Sequence, residues 1–485
     1  MWSIVLLGIA AGAFATRITN DSRVASGHTF DYLPSSLSGI VVGTKLSARG
    51  YSVLLIEAGK DLQNNSAIYN VELRGSGWTS ITTPETDCNW HYVGSDVNGS
   101  ALPVTIDSGK CVGGSSSING MVWYRPAAAE LDAIQSLGNP GWNSTTLFPY
   151  MQAIEHNLPP SAEQRADGAD LVPAVHGFAG PVNVSFPVPM RIPEAQAIYK
   201  AAIALVVGVT DGPDLSARNG VSGRSWTIWW NPVAEFTQRA SAAYSLLYPA
   251  SKQQQTLTLS SIKNLRATGL QFGPATGGAV ETVNARHEVL LAAGSLAILE
   301  RSGVGSKSIL HKFGIKQLVD LPGVGLNLQL FTNKSAALSE QLRKSTAARA
   351  RAAVSAGAAV NVAGAMELFT TVTDLITKDK TPIVELISES FTAVMSSIFW
   401  PLTPLSRGHI HINSSNSRIT PRFLTDDFDV QTAVEIAQRA RALVYGTTGL
   451  RIVDASVIPF QLTSHTMSTI YAISQKAADL ILSSR

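Results

Sequence analysis

Short unbroken apolar runs alternate with a few helical stripes along this chain. Phe30-Asp31-Tyr32-Leu33 reads as a short strand. Tyr51 to Ile56 is an apolar run suited to a buried parallel strand, and it stops at Glu57. Between them, Gly39 to Ala48 puts Ile40, Val41, Thr44 and Leu46 on a partly buried helical face, and Gly50 supplies the stop. Strand, helix and strand make a βαβ unit, the entry to a dinucleotide-binding domain.

Further along, residues 60–107 are rich in polar and turn residues and read as loop. Val182 to Phe186 and Thr256 to Ser260 alternate as strands do. Val289 to Ala293 and Ile315 to Asp320 are further strand candidates, and Ser406 to Ile412 reads as a strand after a turn. Residues 343–366, rich in Ala, Arg, Ser and Gly, predict helix. From Thr466 to Leu482, apolar residues at Met467, Ile470, Tyr471, Ala477, Ala478 and Ile481 share one helical face.

A chain of 485 residues with 45% apolar content can build two or three domains with large cores. With a formal net charge of +2 and no run of Lys or Arg, nothing points to a nucleic-acid partner. The apolar run from Ile4 to Ala15 is too short to span a bilayer, and Ala13-Phe14-Ala15 fits a cleavage site. It reads as a secretory signal peptide over residues 1–15, with a buried N-terminal helix as the alternative. No later run reaches spanning length, so no membrane contact is expected after cleavage. Sequons at Asn20, Asn64, Asn98, Asn143, Asn183, Asn333 and Asn413 suit a secreted glycoprotein. Cys88 and Cys111 are either a disulfide pair or, for Cys111, a small apolar residue beneath a cofactor. No metal-ligand spacing is present.

The candidate chemistry lies in two segments. One runs Ser108-Gly-Lys-Cys-Val-Gly-Gly-Ser-Ser-Ser-Ile-Asn-Gly-Met-Val-Trp123. The other runs from Tyr445-Gly446 through Leu450-Arg-Ile-Val-Asp-Ala-Ser456 to Ser464-His465-Thr466-Met467. Together they resemble the signatures of the glucose-methanol-choline (GMC) family of flavoprotein alcohol oxidoreductases, in its glucose-oxidase-like branch. Gly138-Asn-Pro-Gly-Trp142 and Leu291 to Gly305 extend the match. The resemblance implies an α/β FAD-binding, Rossmann-like domain interleaved with a substrate domain on an antiparallel sheet. The FAD domain takes residues 26–150, 236–330 and 440–485, and the substrate domain takes 151–235 and 331–439.

It also assigns residues. Leu37, Ser38 and Gly39 stand at the phosphate turn, and Glu57 bonds the adenosine ribose. Paired glycines let backbone press on a flat ring system, and by the resemblance Gly113, Gly114 and Ser115, with Asn119, Gly120 and Val122, stand at positions that contact FAD. Asp454 and Ala455 lie along the flavin phosphates. Thr466 and Met467 begin a helix whose positive end faces the flavin pyrimidine edge. His465 is the catalytic residue at the flavin face. His409 and His411 read as structural.

The chain departs from the family in ways that bear on function. Aligned from the helix, Pro34 and Ser36 replace the first two glycines of the phosphate turn. Two residues are missing after Ala297. The segment holding the family's principal base, of His-x-x-Gly-Thr type, is absent before Val444. Such gaps arise from coding segments lost at mis-set splice junctions, or in a decayed or repurposed member. The implied function is FAD-dependent oxidation of a small-molecule alcohol at its CH–OH group, in the secretory pathway, of the kind found in fungal secondary metabolism. The alternatives are a non-redox cyclase or dehydratase on the same fold and an inactive remnant.

Overall fold

The computed structural model describes residues 3–7, 17–19, 29–33, 36–71, 88–94, 104–166, 169, 171–186, 225–251, 262–263, 266–272, 281–292, 297–328, 339–379, 381, 384–391, 394–401, 405–413, 416–420, 450–452, 458 and 466–483. The expected βαβ unit is present. It consists of β3 (Thr29–Leu33), α1 (Ser36–Ser47) and β4 (Val53–Glu57), preceded by β1 (Ser3–Leu7) and β2 (Arg17–Thr19). α1 begins three residues before Gly39, because Ser36, Leu37 and Ser38 wind readily into a helix where glycines would hold a loop. Its buried face is Ile40, Val41, Val42 and Leu46. Gly50, at φ +89°, closes it with Gly50 N donating to Ser47 O at 2.9 Å.

Among the described residues, the main sheet has seven strands. β3 sits inside it, parallel to β4 on one side and to Glu281–Leu291 on the other. Leu450–Ile452 also pairs parallel with Glu281–Leu291. β4 is buried along its whole length, as a strand covered on both faces must be. β1 lies antiparallel beside it, from Ser3 opposite Glu57 to Leu7 opposite Val53.

The strand expected at Val289 reaches back to Glu281. Polar residues mask that first half, which pairs antiparallel with Gly269–Phe272. Asp31 staples the parallel core. It accepts from Ser52 N at 2.8 Å and Ser52 Oγ at 2.6 Å, and it pairs with Arg286.

The C-terminal helix Met467–Ser483 packs against α1, with all six residues of the expected stripe buried. Lys45 Nζ to Asp479 Oδ2, at 2.7 Å, links the two helices. A five-stranded sheet orders Leu326–Leu328, Gly408–Asn413, Asn416–Thr420, Tyr92–Gly94 and Val104–Ile106. All its pairings are antiparallel except Ile419 with Gly94.

Other elements refine the expectations. The helix at 343–366 is two helices, Ser339–Ser355 and Val362–Thr377, broken around Gly357 at φ +66°. The strand expected at 315–320 shrinks to Val319–Asp320, because Gly314 at φ +68° ends the preceding helix and a turn follows. The strand at 406–412 is Gly408–Asn413. Within 60–107, Tyr92–Gly94 and Val104–Ile106 are strands. The candidate at 256–260 lies outside the described residues. No helix among the described residues is long and apolar enough to cross a membrane.

Candidate active site

The site begins where β4 ends. Glu57 is buried, and its Oε1 accepts from Gly59 N at 3.0 Å. Burial raises its carboxyl pKa to about 7, against the pull of the Gly59 and Ala58 backbone amides. Such a group can both donate to and accept from a pair of vicinal hydroxyls.

The Gly-Gly turn is fastened directly beyond it. Lys60 bridges Cys111, and Val112 N donates to Lys60 O at 3.0 Å. The contact is backbone on backbone, since a Cβ at Gly59 would stand 1.8 Å from Lys110 O. Cys88 and Cys111 form a disulfide at the edge of this joint, so the pairing option for the two cysteines is the one realised.

Gly113 (φ +99°) and Gly114 (φ +56°) then turn the chain into the short helical segment Gly114–Ser117. A Cβ at Gly113 would stand 2.4 Å from Ser117 Oγ. The serines lock the turn internally. Ser116 Oγ donates to Gly113 O at 2.7 Å and Ser117 Oγ to Val112 O at 3.0 Å. Ser115 is exposed and its Oγ accepts from Gly109 N at 3.0 Å.

The C-terminal helix arrives at the same place. Asn119 Nδ2 lies 3.2 Å from Met467 Sδ, across 348 residues of sequence. Gly120 is half-buried and Val122 buried, and Val122 bridges Trp226. Trp123 and Tyr471 face each other with ring centroids 5.9 Å apart. Thr466 is half-buried and lies just before the helix start.

The structure thus unites Glu57, Gly113, Gly114, Asn119 and Met467. Leu37, Ser38 and Gly39 lie in the first turn of α1, with Ser38 and Gly39 buried. Asp454, Ala455 and His465 lie outside the described residues.

These residues fit a flavin. Trp123 Nε1, Thr469 Oγ1 and Tyr471 Oη are buried at this junction without a hydrogen-bond partner among the described residues. Buried polar atoms of that kind can take a further polar partner, such as a ligand. Glu57 and α1 would hold the adenosine half. The Gly113-Gly114 turn, Asn119 and Met467 would hold the ring half.

Two clusters escaped the sequence reading. Arg239 is buried beneath the Gly-Gly turn, with Nη1 donating to Ser116 O at 3.1 Å and to Asn119 Oδ1 at 2.7 Å. Its one sequence signal is a cation between Phe236 and the small residues Ala240 to Ala243. The other cluster joins Arg125, Glu155, His176 and Asn157, all buried. His176 Nδ1 lies 2.6 Å from Glu155 Oε1, and Arg125 pairs with Glu155 Oε2. Burial pushes the Glu155 carboxyl up, but the His176 hydrogen bond and the Arg125 charge together hold it below the usual range. His411 is structural, as expected, with Nδ1 2.8 Å from the buried Glu300.

Two GMC oxidoreductase family models match the chain, an N-terminal one over residues 49–333 and a C-terminal one over residues 441–474. Glucose oxidase 2 of Penicillium expansum is 27% identical, over 96% of this chain and 94% of that protein. That alignment runs over 589 residues against a chain of 485, so the relative carries segments this chain lacks. A glucose oxidase-like protein of Humicola fuscoatra is also 27% identical, over 95% of this chain and 97% of its own length. In fold, the chain is similar to an FAD-dependent oxidoreductase from Chaetomium thermophilum, with TM-score 0.71, 22% identity and coverage of 94% and 99% of the two chains. It is also similar to a fungal aryl-alcohol oxidase, with TM-score 0.72, 20% identity and coverage of 95% and 99%. With the N-terminal match alone spanning more than half of it, the chain belongs to the GMC oxidoreductase family, FAD-dependent oxidoreductases that act on CH–OH donors.

Proposed function

We propose that this protein oxidises a small-molecule alcohol at a site between the Gly113-Gly114 turn and the start of the C-terminal helix. The observation that carries this reading is the convergence of Asn119, Met467 and the Gly-Gly turn beside the Glu57 strand end. Bound FAD supplies the hydride acceptor. The chain's own work is to hold that ring, orient the alcohol and take the hydroxyl proton.

His465 is the proton acceptor, standing one residue before Thr466 at the head of a seventeen-residue helix. We assign residues 26–150, 236–330 and 440–485 to the FAD domain and 151–235 and 331–439 to the substrate domain, with the five-stranded sheet drawing strands from both.

The protein is read as secreted and glycosylated, and cleavage after residue 15 would take β1 (Ser3–Leu7) from beside β4. The sequons, of which Asn64 is exposed, and the Cys88–Cys111 disulfide support that reading. Expression in a eukaryotic host should give a protein in the medium that shrinks on deglycosylation. An unmodified full-length chain in the cytosol would refute secretion.

The deciding experiment is the reductive half-reaction. With flavin occupancy matched, His465→Ala should slow flavin reduction by the alcohol by at least about 10²-fold, within the range of general-base catalysis. Reduction at the parent rate would make His465 structural. A non-redox cyclase or dehydratase is the second reading, favoured by Pro34 and Ser36 at the phosphate turn. Substrate conversion by flavin-free protein would establish it.

A further inference from the structure

We propose that Arg239 is a positioning residue: it fixes the Asn119 amide with its NH₂ group turned toward the flavin ring and so favours the reduced flavin. The inference rests on the FAD reading above.

Arg239 closes the strand Phe236–Arg239 and is fully buried. Its guanidinium joins three separate segments. Nε donates to Ile68 O at 3.3 Å, and Nη1 donates to Ser116 O at 3.1 Å and to Asn119 Oδ1 at 2.7 Å. The same Oδ1 also accepts from Met121 N at 3.1 Å.

A guanidinium and a backbone N–H can only donate, so the amide atom facing both has to be oxygen. The chemistry of its neighbours therefore determines the amide orientation, and Nδ2 must face the other way. There it meets Met467 Sδ at 3.2 Å, at the first residue of the C-terminal helix. A thioether is a weak acceptor. The amide keeps most of its donor strength for a better partner at the place where the Gly-Gly turn and the helix start converge.

An oriented N–H donor with a buried cation behind it stabilises negative charge more than neutral charge. Reduced flavin carries the negative charge, so the pair acts on the oxidised–reduced balance and not only on affinity. A clamp that merely held three segments together would change stability and leave that balance alone.

The test compares the parent with Arg239→Gln and Asn119→Asp, using full-length protein. FAD affinity is read by titration, the midpoint potential of bound flavin by equilibration with a reference dye, and hydrogen exchange of residues 113–122 in FAD-free protein. R239Q should shift the balance toward oxidised flavin by at least tenfold, about 30 mV for a two-electron couple. It should also raise exchange at 113–122. N119D keeps an acceptor for Arg239 and loses the donor, so it should shift the potential at least as far with exchange near the parent value.

Bound flavin at the parent potential in either variant overturns the inference, and N119D carries the test if R239Q does not fold. A parent chain that takes up no FAD refutes the flavin reading. Exchange then decides the Arg239 contact alone, and unchanged exchange in R239Q overturns it.

Discussion

After β3 the chain has Pro34, and at the first residue of α1 Ser36, where the family has two glycines; at Gly113 and Gly114 it keeps both glycines, at φ +99° and +56°. The helix behind the altered turn is packed as tightly as the turn that kept its glycines. Ile40, Val42 and Leu46 are fully buried, and so is Ser117. Apolar residues on a buried face hold a helix in place whatever its leading turn presents. A phosphate reads only the turn, through the amides and the space it offers. Fold and ligand contact are thus encoded by different residues, and one can be lost while the other stays.

The sharpest way to break this comparison is to damage the intact turn. Gly113→Ala forces a Cβ to 2.4 Å from Ser117 Oγ at φ +99°. The left-handed backbone costs about 1–2 kcal/mol, and overpacking adds about 1–3 kcal/mol. Urea denaturation should show a loss of about 2–5 kcal/mol in all, with FAD uptake abolished. A variant of parent stability would show that this turn tolerates side chains after all.

Glu57, which lies between the two turns, gives the next effect. Its pKa is raised from 4.5 to about 7, so between those values the native state holds a proton that the unfolded chain has released. Glu57's contribution to stability is therefore fully present below pH 4.5 and is lost as pH rises through about 7. The loss amounts to about 3 kcal/mol. Glu57→Gln removes the titration. The variant should gain on the parent by about that amount between about pH 5 and about pH 8, as measured by denaturation without FAD. A difference that does not change with pH would remove Glu57 as the titrating group.

Repairing the altered turn should have the smallest effect. A Gly-rich turn in place of Pro34 and Ser36, with two residues added, should strengthen FAD binding by about 0.5–1.5 kcal/mol per amide contact regained. Stability without FAD should hardly move. If the unmodified chain already binds FAD stoichiometrically, the altered turn matters less than its sequence implies.

What could be read in advance follows the same division. β4, α1 and the C-terminal helix were legible because their apolar spacing is regular and each buries one continuous face. Glu57, Gly113, Gly114, Asn119 and Met467 were legible through motif. The first half of Glu281–Leu291 was hidden because Glu281, Thr282 and Asn284 break its apolar pattern, and it is a strand through pairing with Gly269–Phe272. Arg239 was hidden because a lone arginine looks solvated, and only the chain's return past Ser116 and Asn119 buries it. Glu155 and His176, 21 residues apart, form a pair by packing that no local pattern announces.

The disulfide gives this architecture a dependence on its surroundings. Cys88 and Cys111 are 23 residues apart, and their bond makes a closed ring of the chain that carries Tyr92–Gly94 and Val104–Ile106. Ring closure of this size limits the unfolded chain by about 3 kcal/mol. The ring ends two residues before Gly113. Reduction of the bond should therefore lower the stability of the fold by about that amount without changing any residue of the Gly113-Gly114 turn. A bond of this kind persists where its surroundings are oxidising.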